Sequence, residues 1–266
     1  MAELADARQR LVERQHVRLG IAAQLYRTGF RRAPAVFFQN TDDRDLFIKG
    51  RMVRAGQARL LPGSGVDPDF WRPPDDSRGQ PRRFLMLARI VADKGVREYV
   101  EAARAVRSRW PDARFILMGE VGAANRTAIP REEVQSWIAE GIIEHRAPVA
   151  DVRPDIAAAD VIVLPSYREG LSRVLLEAAA MCRPIVTTDA PGCRDIVSDG
   201  HNGFLCKVRD PASLAEAMSR AAALSDAEWS AMGQASRARI VSGFSQNRVT
   251  ALYLQALAEA GVRPAA

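Results

Sequence analysis

The sequence predicts an α/β fold in which helices cover both faces of a doubly wound parallel sheet. Short runs of consecutive apolar residues are typical of strands buried on both faces, and such runs occupy residues 84–88, 113–118, 142–143, 161–164 and 184–188. Segments with the apolar spacing of helices lie between them, at residues 96–110, 131–139, 152–159 and 174–181. Strands that alternate with helices in this way pair in parallel, because each helix returns the chain to the same end of the sheet.

The composition is that of a folded globular protein. The 266 residues are 47% hydrophobic and 26% charged, which excludes a disordered chain. The net charge of +6 fits anionic substrates or a lipid surface, and alone it does not indicate nucleic acid. No apolar stretch is long enough to cross a membrane, and the charged first twenty residues lack the apolar region of a signal peptide.

Cysteine and histidine are sparse and scattered. They are Cys182, Cys193, Cys206, His16, His145 and His201. No Cys-x-x-Cys pair is present, so we expect neither a zinc cluster nor a disulfide framework. Reduced thiols are typical of cytoplasmic proteins, and we expect that location.

A run rich in proline, glycine and aspartate divides the chain. It starts at Leu61 and reads LPGSGVDPDFWRPPDDSRGQPRR, a composition typical of a linker or a long surface crossing. We therefore predict one domain over residues 1–64, including the start of the linker, and a second over residues 65–266. The second domain is expected to end in helices at residues 213–224, 226–241 and 245–258. The expected elements of the first are a basic helix ending at residue 30, a helix at 43–49, and strands at 35–39 and 59–61. These are too few to close a parallel-sheet core of their own.

Two cations follow the first strand of the second domain. Ligands of open parallel sheets bind where the strands end, and Arg89 and Lys94 lie between such an end and the next helix. Arginine binds phosphate as a bidentate fork and lysine as a point charge, so the pair suits a diphosphate. Taken alone, the same residues also fit an ordinary solvated loop.

A second junction follows the strand at residues 161–164. Its short loop contains Glu169 and Gly170, and a helix opens near Ser172. We expect the backbone amides of Gly170, Leu171 and Ser172 to form an anion pocket at that helix end. Glu177 lies among apolar residues in the second turn, where a carboxylate needs a donor such as a ribose hydroxyl. A capping role for Glu177 and a surface position for Glu169 are the simpler alternatives.

A third junction, after the strand at residues 184–188, has the same form of strand, glycine turn and helix start. Thr188 and the turn amides are expected to line the same cleft, with Asp189 as a cap. The chain contains no Gly-x-Gly-x-x-Gly after a strand, no phosphate-binding loop of the Gly-x4-Gly-Lys type and no Gly-x-Ser-x-Gly elbow. These absences argue against Rossmann-type dinucleotide binding, nucleotide triphosphatase chemistry and serine hydrolase chemistry.

Several of these segments resemble retaining GT-B glycosyltransferases of the group 1 type, in particular those of bacterial O-antigen and capsule assembly. Residues 169–177 are similar to the family's Glu-x7-Glu segment, ARIVADKG at 88–95 to its basic phosphate loop, and LPGSGVD at 61–67 to its inter-domain linker. The similarity runs from about residue 36 to the C-terminus.

The resemblance implies a Rossmann-like donor domain, the C-terminal half of a GT-B fold, that binds a nucleotide sugar, usually a UDP-sugar. It implies catalytic roles for Arg89 and Lys94, which would neutralise the diphosphate, and for Glu169. Glu169 and the amides after Gly170 would hold the donor sugar, and Glu177 would bind the ribose. Fixed cations and helix dipoles can stabilise the leaving diphosphate, and no metal cofactor is implied. The implied acceptor is a saccharide or a polyprenyl-diphosphate-linked saccharide of cell-surface polysaccharide synthesis.

The sequence also departs from the family pattern. Ser172 stands where proline is common, Cys182 replaces a usual glycine, and residues 144–149 lack the glycine loop expected beside the nucleotide base. Residues 1–61 resemble only the last portion of the family's N-terminal acceptor domain. Most of that domain, with the family's catalytic histidine, is therefore expected to be missing.

Two other possibilities remain open. The alternative function is that of a catalytically inactive donor-domain fragment that serves as a nucleotide-sugar binding or interaction module. A basic helix over residues 8–32 has an apolar side with Leu11, Val17, Ile21 and Leu25, which suits peripheral contact with anionic lipid at the inner membrane face. Nucleic-acid binding is not expected, because aromatic residues are not interleaved with the basic ones.

Overall fold

The computed structural model describes residues 20–73, 82–122 and 125–261. These residues divide into two compact units, one of residues 20–61 and 251–261 and the other of Pro62–Thr250. The predicted domain boundary lay between residues 64 and 65, and the observed division falls three residues earlier. The prediction also placed all the C-terminal residues in the second domain, whereas residues 251–261 cluster with the first unit.

The smaller unit is built on two short parallel strands. Its elements are helix α1 (residues 20–30), β1 (Val36–Phe38), α2 (Thr41–Lys49) and β2 (Ala58–Leu60). The strands pair with Val36 opposite Ala58. Asn40 caps α2 by accepting a hydrogen bond from the Asp43 amide. The start of the predicted basic helix, with Leu11 and Val17, lies outside the described residues.

Six parallel strands form the sheet of the larger unit. They are β3 (Arg83–Leu87), β4 (Arg114–Met118), β5 (Glu144–Arg146), β6 (Val161–Leu164), β7 (Ile185–Thr188) and β8 (Gly203–Cys206). Their order across the sheet is β5-β4-β3-β6-β7-β8. Every residue of β6 and β7 is buried, as expected for strands covered on both faces. The predicted doubly wound parallel sheet is confirmed.

Helices flank this sheet. They are α3 (Val96–Arg109), α4 (Arg131–Ala139), α5 (Arg153–Ala158), α6 (Arg173–Ala180), α7 (Pro211–Ala223) and α8 (Asp226–Gly243). A last helix, α9 (Gln246–Glu259), follows along the chain, and its residues from Ala251 onward belong to the smaller unit. Helix α3 packs against α7, and α6 packs against α8. The Asp210 side chain caps α7 by accepting from the Ser213 amide, with Pro211 in the first turn, as the sequence predicted.

Two local predictions were wrong, and one strand was missed. The strand expected at residues 142–143 lies at Glu144–Arg146 instead, because Ile142 still belongs to the turn after α4, where its amide donates to Trp137 O. Strand β8 was not predicted, because it is short and starts with a glycine. The helix start expected after the glycine turn that follows β7 is a series of turns. The polar β5 is stable as an edge strand, where Arg114 and Glu144 form an ion pair at 2.6 Å.

The strand order places a crevice between β3 and β6. From β3 the chain winds outward to β4 and β5 and then returns to β6 beside β3, before it winds the other way. The connections that follow β3 and β6 therefore diverge, and ligands of such sheets bind at this switch point beyond the carboxyl ends of the strands. Within residues 20–73, 82–122 and 125–261, no helix is both long and apolar enough to cross a bilayer.

Candidate functional site

The loops that follow β3 and β6 meet directly at the switch point. The Tyr167 amide donates a hydrogen bond to Asp93 O at 2.9 Å, and Ser166 Oγ donates to the same oxygen at 3.3 Å. Gly95 has a φ of 74°, and a Cβ at this position would lie 2.1 Å from Pro165 O. Only glycine fits here without a backbone shift. The two loops that carry the predicted site residues are therefore held together by the backbone.

Lys94 and Glu169 form an ion pair in this place. The distance from Lys94 Nζ to Glu169 Oε1 is 2.5 Å, and the two side chains are 20% and 15% exposed. The residues come from different loops, 75 positions apart. The structure thus brings together one predicted phosphate ligand and the predicted sugar ligand. A half-buried ammonium at the switch point is a ready partner for an anionic ligand.

The loop after β7 fixes the position of Glu169. The Glu169 amide donates to Pro191 O at 3.0 Å, and the Ser172 amide donates to Gly192 O at 3.1 Å. Because the Ser172 amide is already bonded, the expectation that it takes part in an anion pocket is wrong. A Cβ on Gly192 would lie 2.4 Å from Glu169 O, so the loops touch here as well.

Helix α6 begins at Arg173 and presents its amino end to the crevice. Ser172 is the N-cap, and its Oγ accepts a hydrogen bond from the Leu175 amide at 3.5 Å. The helix start that the sequence predicted near Ser172 is therefore confirmed. The first amides of a helix have no partner within it, so those of Arg173 and Val174 carry the positive end of the helix dipole.

Glu177 is buried in the second turn of α6, with 7% of its surface exposed. Burial raises the pKa of its carboxyl, and the guanidinium of Arg173 opposes this rise. Arg173 Nε donates to Glu177 Oε1 at 2.8 Å, from a side chain that is 65% exposed. The donor that the sequence required for this carboxylate is therefore supplied from within the helix. Because the Arg173 side chain is exposed, it can rotate away from Glu177, and the carboxylate can then accept a hydrogen bond from a ligand hydroxyl.

Arg89 lies in a cavity of about 310 Å³ at the ends of β3 and β4. The cavity is lined by Leu87, Ala88, Arg89, Met118, Gly119, Glu120, Pro148, Val149, Val152 and Val174. Its volume is at the lower end of the range for small-molecule sites, about 300–1,000 Å³. Arg89 is exposed, and its guanidinium makes no hydrogen bond or ion pair with any residue that the structure describes, while its carbonyl accepts from the Val91 amide at 2.8 Å. The cavity also reaches α6, through Val174, one turn before Glu177.

The predicted residues thus lie in the connections that follow β3 and β6, in two groups. Lys94 and Glu169 are in direct contact, while Arg89 shares its cavity with α6, the helix that carries Glu177. Gly170 is exposed, and Leu171 packs toward Gly63, where a Cβ would lie 2.8 Å from Leu171 Cδ2. No contact joins Arg89 to the Lys94–Glu169 pair within the described part of the chain.

Several lining residues were missed from the sequence. Gly119 follows β4 directly, and a Cβ there would lie 2.0 Å from Ala88 O. A glycine just after a buried strand was the available signal. Pro148 and Val149 follow the edge strand β5, whose position was predicted incorrectly. The segment at residues 144–149 was noted from sequence, but for its lack of glycine and not as cavity lining.

Cysteine chemistry does not belong to this site. Burial raises the pKa of the Cys193 thiol to about 11, even though Thr187 and Thr188 lie within hydrogen-bond reach. A thiol that stays protonated at neutral pH is a poor nucleophile. Burial likewise raises the pKa of Tyr167 to about 12, with help from its hydrogen bond to Glu98. The candidate ligands of the site therefore remain Arg89, Lys94, Glu169 and Glu177.

Curated relatives with this pattern are glycosyltransferases. The chain is 31% identical over 178 residues to the putative glycosyltransferase EpsD of Bacillus subtilis. The aligned region covers 63% of this chain and 46% of EpsD. It is 30% identical over 135 residues to N,N'-diacetylbacillosaminyl-diphospho-undecaprenol alpha-1,3-N-acetylgalactosaminyltransferase of Campylobacter jejuni. That aligned region covers 51% of this chain and 34% of the Campylobacter enzyme. The chain therefore spans less than half the length of these two relatives.

Solved structures share the fold. The crystal structure of Anabaena HepE in complex with UDP-glucose superposes with a TM-score of 0.77 at 20% identity, covering 90% of this chain and 67% of that one. This supports the predicted relation of the α/β sheet to GT-B enzymes. The family model for glycosyl transferases group 1 matches residues 81–223, which include β3 to α7 and every predicted site residue. With more than half of its length matched by that model, the chain belongs to the group 1 glycosyltransferases.

Proposed function

We propose that this chain binds a nucleotide sugar, most simply a UDP-sugar, in the crevice between β3 and β6 and takes part in transferring the sugar with retention of configuration. The observation that carries the proposal is the ion pair of Lys94 and Glu169, which places a cation and a carboxylate together at the switch point. The proposed acceptor is a saccharide or a polyprenyl-diphosphate-linked saccharide of cell-surface polysaccharide synthesis.

The phosphates of the donor would lie between the two cations and α6. The Arg89 guanidinium has no partner in the described part of the chain and can form a bidentate contact with a phosphate. Lys94 is held near Glu169 and can turn its remaining donors to a second phosphate. When the glycosidic bond breaks, negative charge grows on the diphosphate. Fixed cations and helix-end amides therefore stabilise the transition state more than they stabilise the bound donor in its ground state.

Two carboxylates would bind the rest of the donor. Glu169 accepts a hydrogen bond from Lys94 through Oε1, and we assign its carboxylate to the hydroxyls of the donor sugar. Glu177 lies one turn beyond Val174, which lines the cavity with Arg89, and we assign it to the ribose hydroxyls. The largely apolar cavity then suits the flat face of the base.

The relatives support this assignment in part. The Campylobacter jejuni enzyme is named for a diphospho-undecaprenol-linked substrate, and HepE was crystallised with UDP-glucose. Three free cysteines agree with a cytoplasmic location for the reaction. Peripheral contact of the basic helix with the inner membrane face stays a proposal.

Calorimetry on the full chain tests donor binding. UDP-sugars, including UDP-glucose, and GDP-sugars are titrated into the chain, and we expect at least one of them to bind. Arg89→Ala and Lys94→Ala are each expected to weaken that binding at least tenfold. Arg109→Ala removes an exposed arginine at the end of α3 and is the matched control, expected to change affinity less than twofold. A folded chain that binds no nucleotide would contradict the proposal.

An assay of transfer separates the enzyme from a binding module. Donor and a polyprenyl-diphosphate-linked saccharide are incubated with the full chain, and the anomeric configuration of the product is read by NMR. Retention of the donor configuration is expected. Donor binding without transfer to any acceptor would favour the alternative function, a nucleotide-sugar binding module.

A further inference from the structure

Four arginines of the smaller unit line one cavity, here called the arginine cavity. It has a volume of about 380 Å³ and lies between the end of α1 and the segment from α2 to β2. The lining residues are Arg27, Phe30, Arg31, Ile48, Arg51, Met52, Val53, Arg54, Ala55 and Gln57. Within the described part of the chain, no carboxylate lines it. Four positive groups thus face a floor that is mostly apolar.

Two of these arginines are fixed by the fold. Arg27 Nη2 donates to Gly50 O at 2.9 Å, at the end of α2. Arg54 Nε donates to Gln57 Oε1 at 2.7 Å. Gln57 is only 5% exposed and donates in turn to Phe30 O at 2.8 Å. The walls of the cavity are therefore held by hydrogen bonds that do not need a ligand.

The side chains of the other two arginines have no bonded position in the fold. The side chains of Arg31 and Arg51 are exposed, and neither guanidinium forms a hydrogen bond or an ion pair with any described residue. Their backbone carbonyls accept from Arg54 Nη2 and Arg27 Nε, respectively. Like charges that share a cavity repel one another, and an anion between them would remove that repulsion. The arrangement offers two free guanidinium groups beside two fixed ones.

We propose that the arginine cavity binds a phosphate group, presented by a lipid headgroup or by a free phosphate. Guanidinium forks match the oxygens of phosphate in bidentate geometry, and several of them neutralise its double charge. The apolar floor of Phe30, Ile48 and Met52 favours a phosphate attached to an organic group. Ile21 and Leu25 of α1 are 57% and 68% exposed, and such side chains beside basic residues suit a membrane surface.

A charge-matched pair of variants tests the proposal. The cavity variant is Arg31→Gln with Arg51→Gln, which leaves the two fixed arginines in place. The control variant is Arg32→Gln with Lys49→Gln, which removes the same charge from the same unit outside the cavity. Circular dichroism establishes that both fold. Arg31→Glu with Arg51→Glu is a second cavity variant, expected to lose binding further.

Two probes distinguish the sources of phosphate. Cosedimentation with phosphatidylglycerol vesicles, against phosphatidylcholine vesicles, measures binding to a headgroup, and calorimetry with inorganic pyrophosphate measures binding in solution. Pyrophosphate also fits the proposed donor site, so every chain in that titration carries Arg89→Ala and Lys94→Ala. The comparison of the cavity variant with the control then measures the arginine cavity and does not depend on the donor site in the larger unit. The proposed function can therefore be wrong while the arginine cavity binds phosphate, and the arginine cavity can fail to bind phosphate while the proposed function is correct.

We expect the cavity variant to bind at least one probe tenfold more weakly than the wild type, with the control within twofold. Loss confined to vesicles assigns the site to a lipid headgroup, and loss with pyrophosphate assigns it to phosphate in solution. An equal decrease in affinity for the cavity and control variants would show that binding depends on the general surface charge, and it would overturn the proposal. Failure of the wild-type chain to bind either probe would also overturn it.

Discussion

Glu177 combines a buried position with a charge that the proposed donor site requires. Its carboxyl has a raised pKa because burial disfavours the ionised form more than Arg173 favours it. A group whose pKa is higher in the folded state stabilises the fold at acid pH, and that contribution is lost as pH rises through the folded pKa. Ionisation of Glu177, as pH rises past this raised pKa, therefore reduces the free energy of unfolding.

We expect Glu177→Gln to raise the urea midpoint at pH 7, because the amide needs no ionisation. The difference from wild type should vanish below about pH 4, where the carboxyl is neutral in both states. The same change should weaken nucleotide-sugar binding by tenfold or more, because a charge-assisted hydrogen bond to ribose is lost. A lower midpoint at pH 7 would mean that the ion pair with Arg173 outweighs the cost of burial.

Glu169 and Lys94 have different proposed roles, which UDP, the donor without the transferred sugar, can separate. We expect Glu169→Gln to keep its affinity for UDP, or to gain some, since a negative charge near the phosphates is removed. Transfer should decrease at least a hundredfold. Lys94→Gln should weaken UDP itself at least tenfold. Calorimetry with UDP and with UDP-sugar, together with turnover, measures each effect. Equal loss of UDP affinity in both variants would contradict separate roles.

The loops around the crevice depend on glycines that allow close backbone approach. Gly192 has a φ of 78°, and a Cβ there would lie 2.4 Å from Glu169 O. Gly200 has a φ of 74°, but the nearest atom to its Cβ position is Arg220 Nη2 at 3.9 Å. The two positions therefore share the strained backbone and differ in the space available.

We expect Gly200→Ala to cost stability alone, about 1–2 kcal/mol for a left-handed alanine. Gly192→Ala should pay the same cost and also push the loop of Glu169 away from Lys94, so that transfer decreases at least tenfold more than in Gly200→Ala. Urea unfolding and turnover are measured for both variants. Similar activity in the two would show that the contact with Glu169 O is unimportant.

The sequence was most informative where an element is fully buried. Strand β6 has four consecutive buried apolar residues, and its observed bounds are those predicted. Helix α7 was recognised from its cap, because Asp210 and Pro211 have a local role that needs no partner elsewhere. Strands β5 and β8 lie at the two edges of the sheet, where polar residues or glycine are tolerated, and periodicity therefore misses them.

Residue types predicted part of the site, and tertiary contacts decided the rest. Lys94 and Glu169 were both named from sequence, but their mutual contact depends on the order of strands across the sheet. The bonded Ser172 amide could not be foreseen, since its acceptor lies on the loop after β7. The arginine cavity was also missed, because its four arginines spread over 28 positions of the chain without a repeating pattern.

At the scale of the whole molecule, the division into two units separates the two proposed ligands. All residues of the candidate donor site belong to Pro62–Thr250, and all those of the arginine cavity belong to the smaller unit. A ligand that binds only the folded form of one unit stabilises that unit by mass action. Each unit has its own apolar core, so calorimetry should resolve separate responses.

We expect UDP at a hundred times its dissociation constant to stabilise the larger unit by about 2.7 kcal/mol. For a unit of this size, each kcal/mol raises the Tm by roughly 2–4 °C, so its Tm should rise by about 5–10 °C. Phosphatidylglycerol vesicles should instead shift the response of the smaller unit. Intrinsic tryptophan fluorescence follows the larger unit, since all four tryptophans (Trp71, Trp110, Trp137 and Trp229) lie within it. If UDP left that fluorescence transition unchanged while nucleotide binding was saturated, the site would not lie in the crevice between β3 and β6.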